Sequence, residues 1–211
     1  MDKPNRKVEW MVWGGLALLI ATLAAAFLLT RLGATLPVYG QVADFTLTNQ
    51  HGRAVTLADL RGQVWIADII FTRCPGPCLA MSRNMKQLEQ ALPRDSRVKL
   101  VSLTTDPDFD TPEVLKAYAT DRVNADHNRW LFLTGTKSEI SKLAVDSLKL
   151  TAIEKKPEER ESPQDLFIHS TIFVIVDEQA RLRGVFETTG EHIDAERVKQ
   201  QILAAARRLE K

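Results

Sequence analysis

The run Val64-Trp-Ile-Ala-Asp-Ile-Ile-Phe71 is apolar at every position but Asp68 and rich in β-branched and aromatic side chains. A short run of this kind without alternation is the pattern of a strand covered on both faces. It therefore predicts the middle of a sheet with helices above and below. The run leads directly into Thr72-Arg-Cys-Pro-Gly-Pro-Cys78, after which Met81, Met85, Leu88 and Leu92 recur at helical spacing until Pro93. Strand, cysteine loop and helix are thus expected in succession.

The rest of the chain repeats that order. Asp44-Phe-Thr-Leu-Thr48 alternates and stops at Asn49-Gln-His-Gly52, which reads as an N-terminal hairpin. Val98–Thr104 is strand-like, and Asp110-Thr-Pro-Glu113 offers Asp110 as a cap ahead of proline, opening a helix through Tyr118. Trp130–Leu133 is a further strand, followed by a capping-box pair, Thr136 and Glu139, ahead of Ile140, Leu143 and Ala144. Residues 154–163 carry neither apolar period nor bulk and read as a solvated loop. Thr171–Val176 and Leu182–Phe186 flank a turn at Asp177, and Ala195–Leu209 closes the chain as an amphipathic helix. This order implies an α/β fold, a mixed sheet with helices on both faces.

Ahead of that domain, residues 10–30 contain no charged side chain. At about 1.5 Å of rise per residue they are long enough for a hydrocarbon core of about 30 Å. A cleaved signal peptide is the competing reading, but the apolar stretch continues past Ala24 and Ala26 through Leu29. The expected organisation is a cytoplasmic tail over 1–9, a transmembrane anchor over 10–32, a linker over 33–41 and one globular domain over 42–211. Trp10 and Trp13 suit a membrane interface, and Lys3, Arg6 and Lys7 precede the span while Arg31 alone follows it closely. That asymmetry predicts a single-pass protein with its C-terminal domain across the membrane, and the lack of an Arg-rich, acid-poor presequence points to a bacterial inner membrane and its periplasm, where a cysteine pair can be oxidised. The 28 Lys and Arg against 27 Asp and Glu leave a formal charge of +1. No basic field draws such a chain onto nucleic acid.

The chain has two cysteines, Cys74 and Cys78. They are too few for a disulfide framework and too close together to staple distant parts of a fold. Their Pro/Gly-rich loop argues against a pair of buried cysteines acting as small hydrophobes. A helix start beyond the loop would favour thiolates. Two sulfurs at this spacing can bind a soft cation such as Cu(I) or form a disulfide, and the residues alone allow both.

Together three motifs make the domain resemble the Sco/SenC proteins: the cysteine loop Thr72–Cys78, Asp106-Pro-Asp-Phe-Asp-Thr-Pro-Glu113, and Phe167-Ile-His-Ser-Thr171. Leu79 departs from the family pattern, where proline usually follows the second cysteine. The resemblance implies a thioredoxin-like fold with an N-terminal β-hairpin extension, here behind the membrane helix. It implies copper, as Cu(I) and Cu(II), held by Cys74, Cys78 and His169. It also implies a metallochaperone role, with the copper-accepting subunit of cytochrome c oxidase as partner and its copper A centre as destination. Two soft sulfurs and an imidazole suit Cu(I) and remain usable for Cu(II), whereas structural zinc wants a fourth ligand. The alternative is a thiol-disulfide oxidoreductase working through the same two cysteines. Asp106, at the end of a strand, is a candidate to support the site by a hydrogen bond, with Asp-Pro turn formation as the rival. Met81 and Met85 share the spacing of Leu88 and Leu92 and read as core, and His51, His127 and His192 as ordinary surface residues. Asp68 in a buried strand has no ready explanation.

Overall fold

The structure is a computed structural model and describes residues 6–33, 36–160, 166–190 and 192–210. The chain divides into two compact units, Met1–Leu36 and Pro37–Lys211.

The first unit is helix α1, Arg6–Gly33, whose described side chains, Trp10–Ala26, are exposed. No helix among the described residues is long and apolar enough to cross a membrane. This corrects the reading of 10–32 as a transmembrane anchor, together with the inner-membrane location and periplasmic placement that rested on it.

In the second unit the chain runs through β1 (Gly40–Gln41), β2 (Thr46–Asn49), β3 (Ala54–Thr56), α2 (Leu57–Leu60), β4 (Trp65–Ile70), α3 (Pro77–Ala91) and β5 (Lys99–Thr104). Next come α4 (Pro112–Ala117), continued as a wider turn through Val123, β6 (Trp130–Thr134) and α5 (Lys137–Ser141), likewise continued through Ser147. β7 (Ala152–Glu154), β8 (Phe167–His169), β9 (Ile172–Val176), β10 (Arg181–Glu187) and α6 (Ala195–Leu209) complete it.

Eight strands form one sheet in the order β1-β10-β9-β4-β5-β6-β2-β3. β4 pairs parallel with β5 and β5 parallel with β6, while β9 joins β4 antiparallel. The apolar run of β4 is buried along its whole length, as expected of a central strand. Alternation sends Trp65, Ala67 and Ile69 into a cluster with Leu57, Leu60, Ile140 and Leu143 from α2 and α5. The opposite face meets α3, α4 and α6, with Tyr118 edge-on to Phe132 at 6.2 Å. Burying two apolar faces in this way is what a layered α/β domain requires.

Local signals set several boundaries. Asn49 accepts from the backbone N–H groups of His51 and Arg53, and Gly52 takes a positive φ of 72°, closing the β2–β3 hairpin. Thr136 and Glu139 form the expected capping box at α5. At α4 the cap is Thr111 rather than Asp110; Asp110 is fully buried and used elsewhere. The expectation of an unstructured 154–163 is also corrected in part. Glu154 ends β7, which pairs with β8 as a separate two-stranded sheet, and Pro157–Glu159 form a 3-10 turn.

Candidate metal centre

The cysteine loop leaves the end of β4 and enters α3, with Pro77 in the first helical turn, where its missing N–H leaves no partner wanting. The Cys74 N–H donates to the Phe71 carbonyl at 3.2 Å, folding the loop back on the strand it has left. Cys78 is buried and Cys74 half-buried. The two sulfurs are close enough to share a hydrogen bond. Burial pushes the Cys78 thiol up; the hydrogen bond and charge of Cys74 and the carboxylate of Asp68 add to that, and a hydrogen bond with the Phe71 backbone opposes it. At Cys78, then, the thiolate preference expected from a helix start is outweighed by loss of solvent.

Asp68 lies on the face of β4 that meets α3 and α4, and is fully buried. Its Oδ1 accepts from the Ser102 hydroxyl at 2.6 Å, and Ser102 Oγ accepts from the Trp130 indole N–H at 3.0 Å. Ser82 and Tyr118 share a buried hydrogen bond of 2.9 Å. Burial first, then the charges of Cys78, Asp68 and Cys74, push the Tyr118 hydroxyl up to about 12 against that hydrogen bond. Behind the cysteines is a polar interior rather than a purely apolar one.

The Asp106–Glu113 segment grips the cysteine loop from the side. Asp110 accepts from the Thr72 backbone N–H at 3.1 Å and from the hydroxyls of both Thr72 and Thr104. Its carboxyl is pushed up by burial, with the threonine hydrogen bonds opposing. Asp106 is 5% exposed and receives Arg73 Nε at 2.7 Å, while the Arg73 guanidinium lies 4.4 Å over the Phe109 ring. Asp106 also accepts from the Asp110 N–H through its carbonyl, at 2.8 Å, so it forms the turn as well as reaching the site. Its partner is the arginine beside Cys74.

His169 ends β8, opposite Ala152 of β7; its imidazole lies outside the described residues. The hairpin reaches the cysteine loop through Phe167, whose ring meets Phe71 edge-on at 5.2 Å. Lys137 Nζ stands 3.0 Å from Asp108 and 3.6 Å from Glu154. Among the described residues no group of three or more His, Cys, Asp or Glu gathers as a metal cluster. The structure thus brings Cys74 and Cys78 together, links Asp106 to the loop through Arg73, and sets the β8 strand against Phe71. Sequence reasoning missed the Thr72–Asp110–Thr104 triangle and the Lys137 bridge. The threonines on either side of the two loops were the signal available for the first.

The SCO1/SenC family profile matches residues 36–206. The chain belongs to that family. It is 39% identical over 142 residues to the SCO1 protein homolog of Bacillus subtilis, an alignment covering 66% of this chain and 70% of that one. A solved structure of BsSco, described as a member of the Sco family of cytochrome c oxidase assembly proteins with a disulfide switch, superposes with a TM-score of 0.66 at 32% identity. It covers 82% of this chain and 98% of that one. ScoI of Bradyrhizobium japonicum, solved with copper bound, shares the fold at a TM-score of 0.65 and 22% identity, covering 80% of this chain and 99% of that one. Sco relatives are therefore copper-binding proteins, and the mixed α/β domain is the one they share.

Proposed function

We propose that this chain binds copper between the thiolates of Cys74 and Cys78 and the imidazole of His169, and hands it to the copper-accepting subunit of cytochrome c oxidase for its copper A centre. The observation that carries the reading is the docking of the β7–β8 hairpin. Phe167 rests on Phe71, three residues before Cys74, and positions 167 and 169 share one face of β8 by strand alternation. Two adjoining sulfurs of one loop supply soft ligands, and an imidazole from a second element completes a set usable for both oxidation states of copper. Arg73 and Asp106 support the site from outside, holding the loop beside Cys74 through a charge-assisted hydrogen bond. Copper bound to a relative, and the oxidase-assembly description of another, favour the same cargo and destination.

Titration of the purified chain with Cu(I) and Cu(II), followed by absorption and electron paramagnetic resonance, tests it. One ion per chain is expected for wild type, loss of binding for Cys74→Ser and Cys78→Ser, and weaker binding with an altered Cu(II) spectrum for His169→Ala. An unaltered spectrum in His169→Ala overturns the ligand set.

The contact between the sulfurs favours a second reading, a dithiol reductant. Cys74 and Cys78 would be oxidised to a disulfide while a target disulfide takes up their two electrons and two protons. His169→Ala spares that activity and removes the copper function, so the two readings separate on one variant.

A further inference from the structure

We propose that Lys137 is a positioning residue for the candidate metal centre, tethering the hairpin that carries His169 to the acidic loop beside the cysteines. The inference rests on the copper reading above.

β7 and β8 pair with each other and stand outside the eight-stranded sheet. Between this hairpin and the domain lies a cavity of about 150 Å³, lined by Thr105, Pro107, Lys137, Ile140, Glu154 and Phe167 among others. Close packing along the inner side of the hairpin is therefore incomplete. Among the described residues, the Phe167 ring on Phe71 and the Lys137 ammonium attach it to the domain, and Leu166, just before β8, is buried.

Lys137 opens α5 directly after its Thr136 cap, which fixes the backbone from which the side chain extends. The ammonium bridges two carboxylates from different elements. Asp108 lies midway between Asp106, which holds Arg73, and Asp110, which holds Thr72. Glu154 faces Phe167 across the hairpin, two register positions from the Ala152–His169 pair. A continuous path thus runs from Thr72 and Arg73, just ahead of Cys74, through the acidic loop and Lys137, to the hairpin. Without a cation between them, Asp108 and Glu154 would repel each other. The pull of Asp108 and then Glu154 raises the affinity of Lys137 for its proton, as expected of a shared cation. Arg160 also approaches Glu154, at 3.8 Å, but it belongs to the connection between β7 and β8 and ties the hairpin only to itself. Half of Lys137 remains exposed, so the tether is modest and screened by salt.

The experiment uses the full chain as wild type, Lys137→Met, Lys137→Arg, His169→Ala and the double variant Lys137→Met/His169→Ala. Amide hydrogen exchange over 152–154 and 167–169 is read without metal, and copper loss to a chelator is read after loading. Lys137→Met should speed exchange in both strands and raise the rate of copper loss about threefold to fivefold, in line with a half-exposed ion-pair network. Lys137→Arg should restore both, and high salt should bring wild type to the level of Lys137→Met. In the His169→Ala background, Lys137→Met should add nothing to copper loss. An equal effect in both backgrounds means general destabilisation and overturns the proposal. Wild-type behaviour of Lys137→Met beside a copper-poor His169→Ala sinks this inference alone. A His169→Ala protein that keeps copper as wild type does sinks the copper reading and this inference with it.

Discussion

Cys78 is buried, and its thiol is held above the ordinary value by burial first and by Cys74 and Asp68 after it. Cation uptake by that sulfur therefore expels a proton. Apparent copper affinity is expected to rise with pH across the neutral range, about tenfold per pH unit for each proton released; competition titration between pH 6 and 8 checks this. An affinity flat in pH would mean the sulfur is already ionised. Asp110 makes a second case at this scale. The local string Asp110-Thr-Pro-Glu113 offers two cap residues, and nothing in it says which one the fold needs elsewhere. Burial decided: Thr111 caps α4 and Asp110 takes the hydroxyls of Thr72 and Thr104. Thr72→Val removes one donor from a buried carboxylate and should lower stability by about 1–2 kcal/mol in urea unfolding. Alkylation of Cys74 should quicken with it, because the same hydrogen bond anchors the cysteine loop. The spacing of the cysteines was legible because it is local; the residues that hold them in place were not, because their partners lie more than thirty positions away.

Elements with a strong apolar pattern were legible almost to the residue. Those without one were not. β4 announces itself by an unbroken apolar run and α3 and α6 by helical spacing, whereas β7 and β8 have three residues each and owe their pairing to one another across a charged connection. The β9–β10 turn shows how one side chain can fix an element. Asp177 accepts from the backbone N–H groups of Gln179 and Arg181 and from the guanidinium groups of Arg181 and Arg183. Burial acts to raise its carboxyl, but these donors prevail and hold it below the usual carboxylate range. A carboxylate lowered in the folded state lends stability above its unfolded pKa of about 3.9 and loses it as pH falls through the folded value. Asp177→Asn should therefore cost about 2 kcal/mol at pH 7 and flatten the acid limb of the stability curve below about pH 4. Urea midpoints of both proteins from pH 7 to pH 3 provide the measurement; parallel curves would show that the turn is held by its backbone alone.

At the scale of the whole molecule, the two faces of the sheet are filled by different sets of helices, and one tryptophan serves each. Trp65 joins the cluster with α2 and α5, while Trp130 stacks on Phe132 at 4.9 Å and bonds Ser102 on the side of α3 and α4. Two of the four tryptophans, Trp10 and Trp13, precede Pro37. Beginning the chain at Pro37 keeps every residue of the core cluster and of the candidate site, so this unit is expected to fold by itself and to take up copper. Its remaining two tryptophans then report the two layers separately. Because β4 and β5 supply side chains to both layers at alternate positions, neither layer can lose its packing without dragging the shared strands from the other. Trp65→Phe and Trp130→Phe each leave a single probe, and their fluorescence midpoints in urea should coincide with each other and with far-ultraviolet circular dichroism after correction for each variant's own stability. A gap between fluorescence and dichroism in either variant would mean that one face melts ahead of the sheet. The cysteine loop, which rises from β4 into α3, would then lose its setting before the rest of the domain unfolds.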